Sequence, residues 1–254
     1  MRPLIAVLLT TIALAESAAA QATSGASSGA VPTRFTVRIA NVSDSSTLKL
    51  STGGSTAMLL SPAVWVIHSG ASPLFVPGEV EAGLGLEGLA EAGMAAPFAA
   101  KLRGVAGVTG AGVAKGPVAS GPDRGAKASS PLLEPNFHFE FTLEARRGDR
   151  LSFAMMIGDS NDGLLATDPA GIALFDASGK PVSGNVTAQV QSWDAGTEVN
   201  EEPGIGPTQG MRQGAPHAGD PERRPVRPMS AVEFGTLWPT VGKIVRVTIT
   251  PARG

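Results

Sequence analysis

Four segments of this chain alternate apolar and polar side chains with a period of two, and this pattern limits the possible folds more than any other feature. They lie at residues 34–39, 137–144, 151–157 and 245–250. Successive side chains of a β-strand point to opposite faces, so each segment predicts a strand with one face on a core. Short apolar runs at 64–67 and 171–175 predict strands that are buried on both faces.

Helical periodicity is weak by comparison. Only residues 79–101 suit a helix, and four glycines within them keep it short. Residues 145–150 join two alternating segments and predict a hairpin turn. Many short strands without strand–helix alternation predict an all-β fold, a two-sheet antiparallel β-sandwich with one short helical excursion. Segments 104–130 and 203–228 are rich in Gly and Pro and predict long irregular loops.

The first residues have the features of a secretory signal peptide. Arg2 precedes an apolar run at 4–14, and alanines at 18–20 offer a small-residue cleavage site. The apolar run is too short to span a bilayer. We therefore expect a secreted or periplasmic protein. Its predicted parts are a signal peptide at 1–20, a flexible leader at 21–31 and one β-sandwich domain at 32–254.

Composition excludes some partners and leaves others open. The net charge is −2, and removing the signal peptide leaves it unchanged, so nothing favours nucleic acid or an anionic membrane surface. No later apolar run is long enough to cross a bilayer. The chain has no cysteine, so its fold depends on a core rather than on disulfides. We expect a protein or cell-surface ligand as partner.

Acidic residues concentrate at 194–202, in a chain with few charges elsewhere. Four carboxylates and Asn200 lie there, and Gly196 with the following Pro and Gly residues excludes a long helix. Carboxylates on a turning backbone suit Ca²⁺. The alternative interpretation is a solvated acidic loop, and we expect at least Glu201 and Glu202 to be solvated.

A second turn, at 160–163, carries one further carboxylate, Asp162. Loops at one rim of a sandwich meet in space, so Asp162 can approach Asp194 and Glu198. Three converging carboxylates repel one another and raise their pKa values, and a divalent cation removes that cost. Oxygen donors without Cys or His favour Ca²⁺ over zinc or copper.

Several blocks of the chain resemble the spondin N-terminal domain, over roughly 34–206. They are the segments 60–69, 160–162, 171–176 and 193–198. The resemblance implies a C2-like antiparallel sandwich that binds Ca²⁺ at one rim through Asp162, Asp194 and Glu198. It also implies a non-enzymatic role in adhesion or matrix interaction. The chain departs from the family pattern at Asn161 and Gly163, where the family has Pro and Trp, and at Glu198, where it has Asp.

Two other functions remain open. Residues 158–160 are similar to the nucleophile block of GDSL-type esterases, which would make Ser160 the nucleophile of an extracytoplasmic hydrolase. The block lies mid-chain, however, and no Asp-x-x-His pair follows it. The other possibility is a structural module that binds no metal. Among the histidines, we expect His68 to be a buried structural residue and His138 and His217 to be solvated.

Overall fold

A computed structural model describes residues 31–120, 127, 130–234 and 237–252. The predicted signal peptide and all but the last residue of the predicted leader lie outside the described residues. Within the described ranges the strands are β1 (Thr33–Asn41), β2 (Leu48–Lys49), β3 (Ser55–Thr56), β4 (Ala63–His68), β5 (Val108–Ala114), β6 (Val118–Ala119), β7 (Phe137–Ala145), β8 (Arg150–Met156), β9 (Gly163–Thr167), β10 (Ile172–Ala173), β11 (Gly184–Asn185), β12 (Val190–Asp194), β13 (Arg227–Pro228) and β14 (Val245–Pro251). The α-helices are α1 (Leu86–Ala92), α2 (Ala95–Leu102) and α3 (Val241–Ile244).

One sheet has five strands in the order β11-β14-β1-β7-β6, and all its described pairings are antiparallel. The alternating segments predicted at 34–39, 137–144 and 245–250 form its three longest strands. In β1, Phe35, Val37 and Ile39 are buried, while the residues between them are partly exposed. The period of two therefore predicts these three strands correctly, although not β6 and β11 at the edges of the sheet.

A second antiparallel sheet has the order β13-β12-β9-β8-β4-β5, with β10 paired to β8. β4 and β8 contain the segments predicted at 64–67 and 151–157. Strands β8 and β9 are buried on both faces. A small third sheet pairs β2 with β3.

The two large sheets share one hydrophobic core. β1, β7 and β14 contribute side chains from the first sheet, and β4, β8 and β9 contribute side chains from the second. Burial of apolar surface stabilises such a core by about 25 cal/mol per Å². The predicted all-β antiparallel sandwich is confirmed. No helix in the described ranges is long and apolar enough to cross a membrane.

The predicted hairpin at 145–150 is wrong. A turn is present, with the Asp149 N–H donating to the Arg146 carbonyl at 3.0 Å. However, β7 pairs with β1 and β6, whereas β8 pairs with β4, β9 and β10. The turn therefore carries the chain from one sheet to the other. Alternation predicts that a segment is a strand, but it does not predict the strand's partner.

Helices α1 and α2 cover the outer face of the second sheet. Leu89 of α1 and Phe98 of α2 pack there against side chains that include Val66 and Ala154. The predicted single helical excursion is thus two helices, separated at Gly93. This glycine has a φ of 65°, the left-handed conformation that commonly ends helices, and its N–H donates to the Leu89 carbonyl. A Cβ there would lie 3.0 Å from the Cβ of Ser61.

The two predicted irregular segments differ from each other. Segment 104–130 contains β5 and β6, so its Gly-rich composition concealed strands, and residues 121–126 and 128–129 lie outside the described residues. Segment 203–228 is mainly turns and ends in β13. This second segment lies against the rim where β8 and β12 end.

Candidate functional site

The rim of the second sheet brings Asp162 and Asp194 together. Residues 157–162 connect β8 to β9, and Gly163 at the start of β9 is the register partner of Asp194 at the end of β12. The Ala195 N–H also donates to the Asp162 carbonyl oxygen at 3.2 Å. Two carboxylates that are distant in sequence thus meet because their strands are neighbours.

The Asp162 carboxylate is fully buried, and only one of its two oxygens accepts hydrogen bonds. Its Oδ2 accepts hydrogen bonds from the Thr197 N–H (2.6 Å), the Thr197 hydroxyl (3.3 Å) and the Glu198 N–H (3.1 Å). Its Oδ1 is buried without a hydrogen-bond partner. Burial, and secondly the charge of Asp194, raise the pKa of Asp162 to about 7, although the bonds to Oδ2 oppose this shift.

The Asp194 carboxylate is also buried, but it is well partnered. Its Oδ1 accepts the Gly196 N–H at 2.6 Å, and its Oδ2 accepts the Asn200 side-chain amide at 2.7 Å. Arg227 of the neighbouring β13 forms an ion pair with Oδ2 at 3.2 Å. Gly196 adopts a φ of 69° in this turn, which other residues rarely adopt. Arg227 therefore compensates Asp194, whereas no salt bridge to Asp162 is found among the described residues.

Glu198 contributes its backbone to this pair, whereas its side chain turns to another group of residues. Its Oε1 accepts the Gly219 N–H at 3.0 Å, and its Oε2 is buried without a partner. Burial, and secondly the charge of Glu91, raise the pKa of Glu198 to about 7, with the Gly219 bond and the charge of His217 opposing them. The predicted convergence of three carboxylates is thus corrected. Among the described residues, Asp162, Asp194 and Glu198 do not form a set whose potential ligand atoms all lie within 4.8 Å of one another. The charge of Asp194 acts on Asp162, whereas the charges of Glu91 and His217 act on Glu198.

That other group is a cluster of Glu87, Glu91 and His217. One potential ligand atom from each lies within 4.8 Å of the others. Glu87 and Glu91 are one turn apart on α1, and His217 Nδ1 contacts Glu91 Oε2. This contact raises the pKa of His217. The His217 side chain is 47% exposed, as its predicted solvation requires, but it also has a charged partner that the sequence does not predict. The Glu-x-x-x-Glu spacing was the signal in the sequence that could have located the cluster.

Glu201 and Glu202 are not simply solvated either. Glu201 Oε2 accepts the Thr208 N–H at 3.0 Å and the Asn161 side-chain amide at 3.3 Å. Glu202 accepts both the N–H (2.7 Å) and the hydroxyl (2.5 Å) of Ser51. Glu201 therefore fastens the chain after β12 to the turn at 157–162, and Glu202 fastens it to the turn between β2 and β3. Residue type alone does not predict either contact.

The geometry around Ser160 is that of a turn residue. Its hydroxyl donates to the Ile157 carbonyl at 2.6 Å and accepts the Gly163 N–H at 2.9 Å, and the residue is 2% exposed. The three histidines contact other residues: His68 contacts Ser152, His138 contacts Ser120 and His217 contacts Glu91. No histidine is thus placed to activate Ser160. His68 is buried and hydrogen-bonded as predicted, and His138 is buried rather than solvated.

Fold and site together define a class of protein, an antiparallel β-sandwich with buried carboxylates at one rim. Comparison with known proteins does not narrow this class. No protein-family model matches the chain, and the search of curated proteins finds no relative.

Proposed function

We propose that this protein is an exported, non-enzymatic β-sandwich module that binds Ca²⁺ at the Asp162–Asp194 rim and serves interaction or adhesion outside the cytoplasm. The observation that carries the proposal is the orphaned Oδ1 of Asp162, buried beside a second carboxylate. A buried anion without a partner is costly, so at neutral pH this oxygen requires a proton or a cation.

The donor set favours a hard cation. Asp162 and Asp194 offer only carboxylate oxygens, and backbone carbonyls and water would have to complete the six to eight oxygen ligands that Ca²⁺ takes. Asp162 and Asp194 would hold the ion. Glu198, predicted as a third ligand, supports the site through its N–H bond to Asp162. A bound ion would neutralise Asp162 and fix the turns at 157–162 and 194–198 against each other.

The likeness to the spondin domain is consistent with this role and adds the expectation of adhesion. A protein or cell-surface ligand is the proposed partner, because loops on a rigid sandwich are a common recognition surface. The environment of Ser160 argues against the hydrolase alternative, since both of its hydroxyl bonds are internal to the turn.

Calorimetric titration of the purified, metal-free chain with Ca²⁺ tests the proposal. We expect saturable binding to one site, lost in Asp162→Asn and in Asp194→Ala. Asp220→Asn is the matched control, because Asp220 is an exposed carboxylate of the same long loop. If wild-type protein gives neither heat nor a Ca²⁺-dependent melting shift, the rim is a purely structural carboxylate pair. Ester hydrolysis that disappears in Ser160→Ala would replace the proposal with the hydrolase.

A further inference from the structure

A second set of potential ligands lies between α1 and the long loop that follows β12. Glu87 and Glu91 are four positions apart and therefore lie on the same face of α1. His217 reaches them from the loop, and the three ligand atoms lie within 4.8 Å of one another. A helix face and a loop 126 residues away in sequence thus present two carboxylates and one imidazole to a common point.

Glu198 gives an independent indication that this point accepts a cation. The residue is only 2% exposed, and its Oε2 is buried without a hydrogen-bond partner. Its other oxygen, Oε1, accepts the N–H of Gly219, two residues from His217, so the carboxylate lies beside the part of the loop that carries His217. Glu91 is also 2% exposed. Glu87, Glu91 and Glu198 thus bring three carboxylates to this region. The described cations there are His217, in contact with Glu91, and Lys101, which lines the same cavity, so the carboxylates outnumber the cations.

The loop is fastened so that these ligands keep their positions. The Gln213 side-chain amide donates to the Glu91 carbonyl at 2.6 Å, and the Gly219 N–H donates to Glu198 Oε1 at 3.0 Å. These two bonds flank His217 in sequence. A cavity of about 250 Å³ is lined by Glu87 and His217, among other residues, and gives access from solvent.

We infer that Glu87, Glu91 and His217 bind a divalent first-row transition metal ion, with Zn²⁺ as the best candidate and the free oxygen of Glu198 available to the ion or to its bound water. The imidazole nitrogen sets this site apart from the oxygen-only rim, because imidazole suits zinc and its neighbours in the periodic table, whereas Ca²⁺ prefers oxygen. Carboxylate and histidine are both ordinary Zn²⁺ ligands. The inference does not depend on Ca²⁺ binding at Asp162 and Asp194.

Zn²⁺ titration of the untagged, metal-free chain tests the site, by calorimetry and by the melting temperature. We expect one Zn²⁺ per chain, with the affinity reduced at least about tenfold in Glu87→Gln and in His217→Ala. Both substituted side chains are partly or largely exposed, so both variants should fold. Glu140→Gln, an exposed glutamate on β7, is the matched control and should bind as wild type does.

Asp162→Asn separates this site from the rim. It should keep Zn²⁺ binding intact even though it removes the carboxylate proposed for Ca²⁺. Several results would overturn the inference: no saturable Zn²⁺ binding by the wild type, equal binding by Glu87→Gln and His217→Ala, or loss of Zn²⁺ binding in Asp162→Asn alone. The choice of a transition metal would also be wrong if Ca²⁺ bound as tightly as Zn²⁺ and if His217→Ala weakened that Ca²⁺ binding.

Discussion

Two groups of buried carboxylates lie on the same end of this sandwich, and they are neutralised in different ways. At the rim, Arg227 compensates Asp194 and leaves an oxygen of Asp162 free. In the cluster of Glu87, Glu91 and His217, the histidine pairs with Glu91, and one oxygen of Glu198 has no partner. Each group thus has one cationic side chain, Arg227 at the rim and His217 in the other group, and one acid with an unpaired oxygen. Only the imidazole of His217 can also bind a metal through nitrogen. This difference separates a site suited to Ca²⁺ from one suited to a transition metal.

The largest expected effect comes from removing the better partnered acid of the rim. Asp194→Ala deletes the acceptor of the Gly196, Asn200 and Arg227 bonds. It leaves the largely buried Arg227 guanidinium with only its longer ion pair to Glu222, at 3.6 Å. We expect the free energy of unfolding to fall by roughly 3 kcal/mol. Urea denaturation without added metal measures it. Asp220→Ala is the control and should change the stability by less than about 0.5 kcal/mol. An equally small change in Asp194→Ala would mean that Arg227 does not depend on this carboxylate.

A neutral side chain at Asp162 should imitate a bound cation. The folded pKa of Asp162 is raised to about 7 from 3.8, so the folded state binds more protons than the unfolded state between these values. The stability contributed by this group is complete below pH 4 and is lost as the pH rises to 7. Asp162→Asn removes that loss and should stabilise the metal-free protein at pH 8 by on the order of 2 kcal/mol.

Denaturation of both proteins at several pH values between 4 and 8 measures this difference. Comparison with the wild type is essential, because burial lowers the pKa values of His68 and His138, so the stability that these two groups contribute is lost as the pH falls. The gain in Asp162→Asn should grow with pH. A constant difference between the two proteins would contradict the raised pKa.

The sequence predicts some strands of this fold but not their pairing. The alternating residues of β1, β7 and β14 predicted their strands because burial of one face has a period of two. Alternation does not indicate which strands pair with each other. It therefore predicts a hairpin at 145–150, whereas the turn there joins two different sheets. Alternation also does not predict that β8 is buried on both faces, because the second face is covered by α1, from elsewhere in the chain.

The candidate sites show the same limit. The proximity of Asp162 and Asp194 followed from strand ends that share a rim. The direction of the Glu198 side chain did not, because it is fixed by Gly219, in a segment without periodicity. The pairing of His217 with Glu91 spans 126 residues, and only the Glu87–Glu91 half of it is visible in the sequence.

Glu198→Gln determines which of the two groups this residue serves. Gln keeps an acceptor for the Gly219 N–H but removes the charge whose pKa is raised to about 7 from 4.5. Because that rise makes stability fall as the pH rises to 7, we expect a gain on the order of 1 kcal/mol at pH 8 and none at pH 4. Zn²⁺ affinity should fall and Ca²⁺ affinity should stay near that of the wild type. Loss of Ca²⁺ binding instead would restore Glu198 as the third rim ligand that the sequence predicts.

The smallest effect should come from His217→Ala in metal-free protein. The bond to Glu91 raises the pKa of His217 above 6.5, so this pair stabilises the fold fully below that value and progressively less as the pH rises through the folded pKa. The side chain is 47% exposed, so solvent screens the pair and limits the loss to about 0.5 kcal/mol at pH 5. Chemical denaturation of both proteins at pH 5 and pH 8 measures this loss of stability, and the difference between the proteins should vanish at pH 8.

Saturating Zn²⁺ should make the difference larger at pH 8 than at pH 5. The ion requires an unprotonated imidazole and stabilises only the wild type, most strongly at pH 8. If the loss in His217→Ala is the same at both pH values with and without Zn²⁺, His217 only packs against α1, and the contrast between the two carboxylate groups disappears.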